Sequence, residues 1–308
     1  MGTRVGGFVR EGARFLQVDH STKLGWIGTG VMGRWMCQHL IESGYSVSVY
    51  SRTLSKCAPL EDRGARLCHS PREVAENSDV VFSIVGYPSD VRRVFMEENG
   101  VLEGFKNKGG VFVDMTTSEP SLAKEMAAVG LKHNVRVVDA PCSGGDVGAR
   151  NGQLVMFAGG DKDTVLSLQP LFDCMAKTTN HMGEAGAGQH AKSVNQIAIA
   201  TGMIGMCEAL LYAHKAGLDV EQALRAIEGG AAGSWSLSNY GPRILKGPRR
   251  GLERGTGDEA VAAGHCTRRT ALCCRTSAIA RTSRNSRTGT STSTSQQHDR
   301  LLRLGHVA

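Results

Sequence analysis

The 308-residue sequence contains no CxxC pair, and no cluster of its histidines and cysteines has zinc-finger spacing. That absence argues against the common structural zinc modules and thioredoxin-like redox motifs. No uninterrupted apolar run approaches the roughly 18 residues of a membrane-spanning helix, so no membrane association is expected. With 41% hydrophobic and 21% charged residues, the chain reads as a soluble globular protein. Nine cysteines are scattered over the chain, the usage of reduced thiols in an intracellular compartment, mitochondrial or cytoplasmic.

Lysine and every aromatic side chain are missing from residues 248–308. That segment holds eleven arginines against four acids, which accounts for the whole net charge of +7. The rest of the chain carries 25 basic and 25 acidic residues. The basic excess therefore belongs to the tail, and nucleic acid is not the expected partner of the folded part. Fifteen Ser/Thr residues, one isoleucine and no sustained period mark 248–308 as too poor in apolar area to order itself. Residues 1–22 also lack a helix or strand period and read as a disordered leader.

Between these ends the pattern is regular. "KLGWIG" (23–28), "YSVSVY" (45–50), "DVVFSIV" (79–85), "GGVFVDM" (109–115), "VRVVDAP" (135–141) and "GQLVMFAGG" (152–160) are strand-like, with helical patterns between them. Residues 31–43 and 161–175 each read as one helix. Alternation of this kind predicts an α/β domain over 23–185, with a parallel sheet covered on both faces. Beyond it, 190–217 reads as one long helix, apolar on most faces, which needs other helices or a second subunit around it. Residues 219–230 supply one covering helix, and a partial helical domain is expected over 186–247.

"GTGVMG" (28–33) is a G-x-G-x-x-G between a strand and a helix. Gly28 permits the tight turn, Gly30 lets a pyrophosphate approach the backbone, and Gly33 lets the helix pack on the strand. Val31 and Met32 complete a loop whose N–H groups face the ligand at a helix N-terminus. No acid occurs between Glu42 and Glu61 to bond a ribose 2′-hydroxyl. Ser51, Arg52, Thr53 and Lys56 instead offer hydroxyls and cations to a 2′-phosphate, which favours NADP over NAD. In "DAPCSGG" (139–145), the N–H groups of Ser143, Gly144 and Gly145 could form a nest for a carboxylate. "GAGQHAKSVNQ" (186–196) places Lys192 and Asn195 three residues apart, on one helix face.

In this order and spacing, "GWIGTGVMG", "DMTTSEPS", "DAPCSGG" and "GAGQHAKSVNQ" resemble the β-hydroxyacid dehydrogenase family from about Lys23 to Lys246. The resemblance implies a Rossmann-type domain followed by an all-helical, 6-phosphogluconate dehydrogenase-like domain. It further implies Lys192 as the catalytic lysine, Asn195 as a substrate-orienting amide, and Ser143, Gly144 and Gly145 as carboxylate ligands. Pro88 and Thr117 would lie along the cofactor. The implied activity is hydride transfer between NADP(H) or NAD(H) and a short β-hydroxyacid or semialdehyde, a small-molecule substrate. A homo-oligomer through 190–217 is one way to cover the apolar faces of that helix. The family's further helices and its Lys-Asp-Leu motif have no counterpart in 248–308. The expectation is a truncated helical domain and a tail from a shifted frame or an intron. The alternative reading is a catalytically inactive dinucleotide-binding protein whose basic tail contacts nucleic acid.

Overall fold

The computed structural model describes residues 17–106 and 108–246; the tail, and the leader up to residue 16, lie outside the described residues. Asp19 to Thr22 form a short turn, closed by the Asp19 N–H on Thr22 Oγ1 at 3.0 Å.

The chain then runs through β1 (Leu24–Ile27), α1 (Gly33–Glu42) and β2 (Val47–Tyr50). Next come α2 (Ala58–Glu61), β3 (Arg66–Leu67), α3 (Pro71–Glu76) and β4 (Val80–Ser83). α4 (Pro88–Met96) and α5 (Val101–Gly104) lead into β5 (Gly110–Asp114), and α6 (Pro120–Lys132) leads into β6 (Val135–Asp139). β7 (Cys142–Ser143), α7 (Gly145–Arg150), β8 (Leu154–Gly159), α8 (Lys162–Ser167), α9 (Gln169–Asp173) and β9 (Ala176–Gly183) follow. Three helices end the described part: α10 (Ala187–Lys215), α11 (Val220–Glu228) and α12 (Trp235–Leu245).

The strand order is β3-β2-β1-β4-β5-β6-β8-β7, with β9 paired to β8. From β3 to β6 all pairs are parallel. This is the dinucleotide-binding order, and its switch point lies between β1 and β4. The fully parallel expectation needs correcting at the far edge, because β8 runs antiparallel to β6 and β7. Strand alternation splits the core between two faces. Trp26, Phe82 and Val113 pack on one side with Met36, Leu40 and Phe172. Ile27, Val81 and Phe112 pack on the other with Phe95 and Met126. Trp26 stacks on Phe82 at 5.6 Å, and Phe95 on Phe112 at 4.7 Å. Each such side chain contributes about 1.5–3 kcal/mol by burial, so the sheet is securely held.

Other expectations also shift. The 161–175 segment forms two helices, because Pro170 at the start of α9 has no N–H to continue α8. α1 starts at Gly33 rather than Val31, and the long helix starts at Ala187 rather than His190. A second covering helix, α12, joins α11. The Ser234 hydroxyl caps it by accepting the Leu237 N–H at 3.1 Å. Together they bury Met206 and Leu210 of α10 against Leu224 and Leu237. Ile197, Ile204 and Leu211 remain exposed. By length and composition alone α10 could cross a membrane, with mean hydropathy 1.4 over its most apolar window.

Candidate active site

The carboxyl ends of β1, β4, β5 and β6 and the start of α10 converge on one edge of the sheet. Gly28 has φ +100°, and a Cβ there would strike the Ile84 carbonyl. A Cβ on Gly33 would meet the Gly28 carbonyl oxygen, which the Trp26 indole N–H already holds at 2.9 Å. A Cβ on Gly30 would project into open space. Two glycines are thus fixed by protein packing, while the middle one leaves room for a ligand against bare backbone. That cradle fits a pyrophosphate at the start of α1, with partly exposed Val31 and Met32 beside it.

At the end of β2, Ser51 is half-buried, while Arg52, Thr53 and Lys56 are exposed. The Arg52 guanidinium reaches Asp90 Oδ1 at 3.4 Å with 81% of its side chain exposed. Asp90 also accepts the Tyr87 N–H at 3.1 Å, in the first turn of α4 next to Pro88. Thr117 lies half-buried at the end of β5, between buried Thr116 and Ser118.

Across the edge, Gly144 (φ +132°) and Gly145 (φ +63°) turn the chain from β7 into α7. Only glycine adopts such consecutive dihedrals without strain. Ser143 and Gly144 are half-buried and Gly145 is exposed. Lys192 is 7% exposed on α10 and close enough to Cys142 to act on its thiol electrostatically. Burial pushes that thiol up to about 11. Asn195, half-buried, donates to Gln196 Oε1 at 2.9 Å. The structure therefore brings Lys192 beside the β7 turn.

Sequence reasoning gave no role to three buried polar residues here: Asp114, Asp139 and Gln189. Asp114 Oδ1 accepts the Ser83 hydroxyl at 3.0 Å and the Thr116 N–H at 3.1 Å. Burial pushes its carboxyl up to about 7, and that of Asp139 up to about 6. The available signal was an acid closing each apolar strand, in "GVFVD" and "VRVVD". Among the described residues, no group of three or more His, Cys, Asp or Glu could hold a metal ion.

The profile of the NAD-binding domain of 6-phosphogluconate dehydrogenase matches residues 23–183. That of the NAD-binding region of NADP-dependent 3-hydroxyisobutyrate dehydrogenase matches residues 186–251. Fold and site thus define an oxidoreductase that uses a nicotinamide dinucleotide. A protein named "Probable 3-hydroxyisobutyrate dehydrogenase-like 1, mitochondrial", from Arabidopsis thaliana, is 60% identical over 227 residues, covering 73% of this chain and 67% of the relative. Human mitochondrial 3-hydroxyisobutyrate dehydrogenase is 32% identical over 225 residues, covering 73% and 67%. A solved structure of 3-hydroxyisobutyrate dehydrogenase from Mycobacterium tuberculosis with L-serine aligns with TM-score 0.68 and 26% identity, over 83% of this chain and 94% of that one. The Salmonella typhimurium 3-hydroxyisobutyrate dehydrogenase gives TM-score 0.72 and 25% identity, over 84% and 88%. The chain belongs to the β-hydroxyacid dehydrogenase family. None of these findings supports the inactive, nucleic-acid-contacting alternative.

Proposed function

We propose that this oxidoreductase interconverts a short β-hydroxyacid and its carbonyl partner, with 3-hydroxyisobutyrate, glyoxylate and succinic semialdehyde as candidates, and that it favours NADP. The observation that carries the reading is a lysine, Lys192, buried within electrostatic range of Cys142 on the strand that leads into the double-glycine turn. Lysines are seldom buried this far unless paired, and burial favours the neutral amine that proton exchange needs.

When bound, the nicotinamide supplies hydride to the substrate carbonyl carbon. Lys192 gives its proton to the carbonyl oxygen as negative charge develops there, and in oxidation the neutral amine takes the proton back. Asn195, one helical turn on, orients the same oxygen-bearing carbon. The N–H groups of Gly144 and Gly145 hold the substrate carboxylate, with the Ser143 hydroxyl as a further donor, while the Ser143 N–H belongs to the β7–β8 pairing. Gly28, Gly30, Val31, Met32 and Gly33 receive the pyrophosphate, and Pro88 and Thr117 flank the cofactor. Ser51, Arg52, Thr53 and Lys56 surround the adenosine ribose, where two cations suit a 2′-phosphate.

We place the division between the two parts at residues 185 and 186, and a second subunit on the exposed face of α10. An intracellular site, mitochondrial or cytoplasmic, accords with relatives whose names place them in mitochondria. A turnover screen of the purified chain with NADP(H) and NAD(H) over the three candidates tests the reading. Absence of turnover with every pair, in protein that binds cofactor, would count against it.

A further inference from the structure

The helix that carries Lys192 does not rest on the sheet by apolar contact alone. Its start lies against the ends of β6 and β8, where the Asp139 carboxylate receives it. Asp139 Oδ1 accepts the Gly186 N–H at 2.7 Å, and Oδ2 accepts the Gln189 N–H at 2.9 Å. These N–H groups have no partner within the helix, and a carboxylate there also meets the positive end of the helix dipole. Such charge-assisted bonds are about twice as strong as neutral ones.

Glycines make the approach close enough. A Cβ on Gly188 would strike the carbonyl oxygens of Phe157 and Asp139. A Cβ on Gly159 would lie 2.6 Å from the Gly188 nitrogen and 2.7 Å from Asp139 Oδ1.

Gln189 adds a second tie. It is 1% exposed, its Nε2 donates to the Thr116 carbonyl at 2.7 Å, and its Oε1 accepts the Ser118 N–H at 2.9 Å. Thr116 Oγ1 in turn accepts the Val85 N–H at 3.0 Å. Gln189 therefore ties the lysine helix to the loop that follows β5 and, through Thr116, to the loop that follows β4. Lys192 lies three residues beyond Gln189, on the same side of the helix.

We propose that Asp139 and Gln189 are positioning residues: they lock the first turn of α10 onto the sheet and thereby set where Lys192 presents its ammonium. The proposal rests on the assignment of Lys192 to proton transfer. Neither residue belongs to the substrate or cofactor set. A misplacement of about 1 Å in such a group costs on the order of 10²-fold in rate, which is the margin this docking protects.

The test compares the wild-type full chain with Asp139→Asn and Gln189→Met. Asn keeps one acceptor but turns an N–H toward a helix N–H; Met keeps the volume and removes both side-chain bonds. Two readouts need no catalysis: amide hydrogen exchange over residues 186–195, and acetylation of Lys192 by an amine-reactive ester, measured by mass spectrometry. For Asp139→Asn both should rise about tenfold or more, as for a lost bond to a charged group, and for Gln189→Met by about threefold. NADP binding should stay within about twofold, and any measurable turnover should fall in kcat with the cofactor KM unchanged. Wild-type exchange and labelling in both variants would overturn the proposal. A global rise in exchange in Asp139→Asn would make it a general structural residue, and the decision would then fall to Gln189→Met. Should Lys192→Ala retain full turnover while the labelling changes appear as expected, the catalytic assignment fails and the docking stands.

Discussion

Asp114 and Asp139 are register partners at the carboxyl ends of β5 and β6, so two nearly inaccessible carboxyls lie on adjacent strands. They are provided for differently. Asp139 meets backbone N–H groups on both oxygens, whereas Asp114 Oδ2 is buried without a hydrogen-bond partner. Burial, with a smaller contribution from the neighbouring Asp139 charge, lifts Asp114 from the ordinary 3.8 to about 7. The folded chain thus binds this proton more tightly than the unfolded chain does. Between about pH 4 and pH 7 the folded form holds a proton that the unfolded form has released, so this group's contribution to stability falls as pH rises. Asp114→Asn should remove that slope, raising stability by a few kcal/mol at pH 8, by roughly half as much at pH 5 and by little below pH 4. Urea unfolding at pH 8 and pH 5 checks it; an equal effect at the two would mean that Asp114 does not titrate in this range.

Turnover should depend on Lys192 far more than cofactor affinity does. Lys192→Ala is expected to lower the rate by about 10²–10⁴, the usual worth of a general acid. NADP binding should change little, since the role proposed for the amine is toward the substrate. Steady-state rates and a cofactor titration on the same sample decide it, and a variant that keeps its rate would return Lys192 to a packing role.

Where the candidate residues would fall in the fold was partly legible in the sequence. Gly28, Gly30 and Gly33 could be assigned because a strand–glycine–helix junction tolerates few other sequences, and Lys192 because its motif stood in order with three others. What was not legible is instructive. β9 carries no apolar alternation and is largely exposed, so it left no strand period. α12 contains Gly241 and Pro242, both helix breakers on paper. Yet Gly241 is where the Leu224 side chain packs close to the helix backbone. The acid closing β6 marked Asp139 as unusual but not what it binds, and Gln189 went unassigned, because the partners of both are backbone atoms of distant segments.

The proposed NADP preference assigns cofactor choice to Arg52, whose long, largely exposed side chain reaches Asp90 without being enclosed by it. An exposed pair of this kind contributes little, so a 2′-phosphate can draw the guanidinium away. Arg52→Asp should weaken NADP binding by about 1–3 kcal/mol and leave NAD nearly unaffected or improved. Isothermal titration with each dinucleotide separates the two; equal losses would remove Arg52 from 2′-phosphate recognition.

The exposed face of α10 sets the last expectation. Ile197, Ile204 and Leu211 are 53%, 61% and 54% exposed, even though α11 and α12 cover Met206 and Leu210. An apolar groove lined by Cys207, Leu211, Val220 and Ile244 lies nearby. Burying a side chain of this size fully is worth about 1.5–3 kcal/mol, so a second copy covering several of these half-exposed ones would favour association. Ile204→Glu with Leu211→Glu should therefore shift the chain toward monomer in sedimentation velocity. It should also leave NADP binding intact, because the sheet and its glycine loop lie on other elements. In the wild type, dilution to monomer should make limited proteolysis cut after about residue 215 while sparing 23–185, since α11 and α12 bury only a four-residue core with α10. A wild-type chain that is monomeric at all concentrations and resists cleavage there would show that α10 needs no partner.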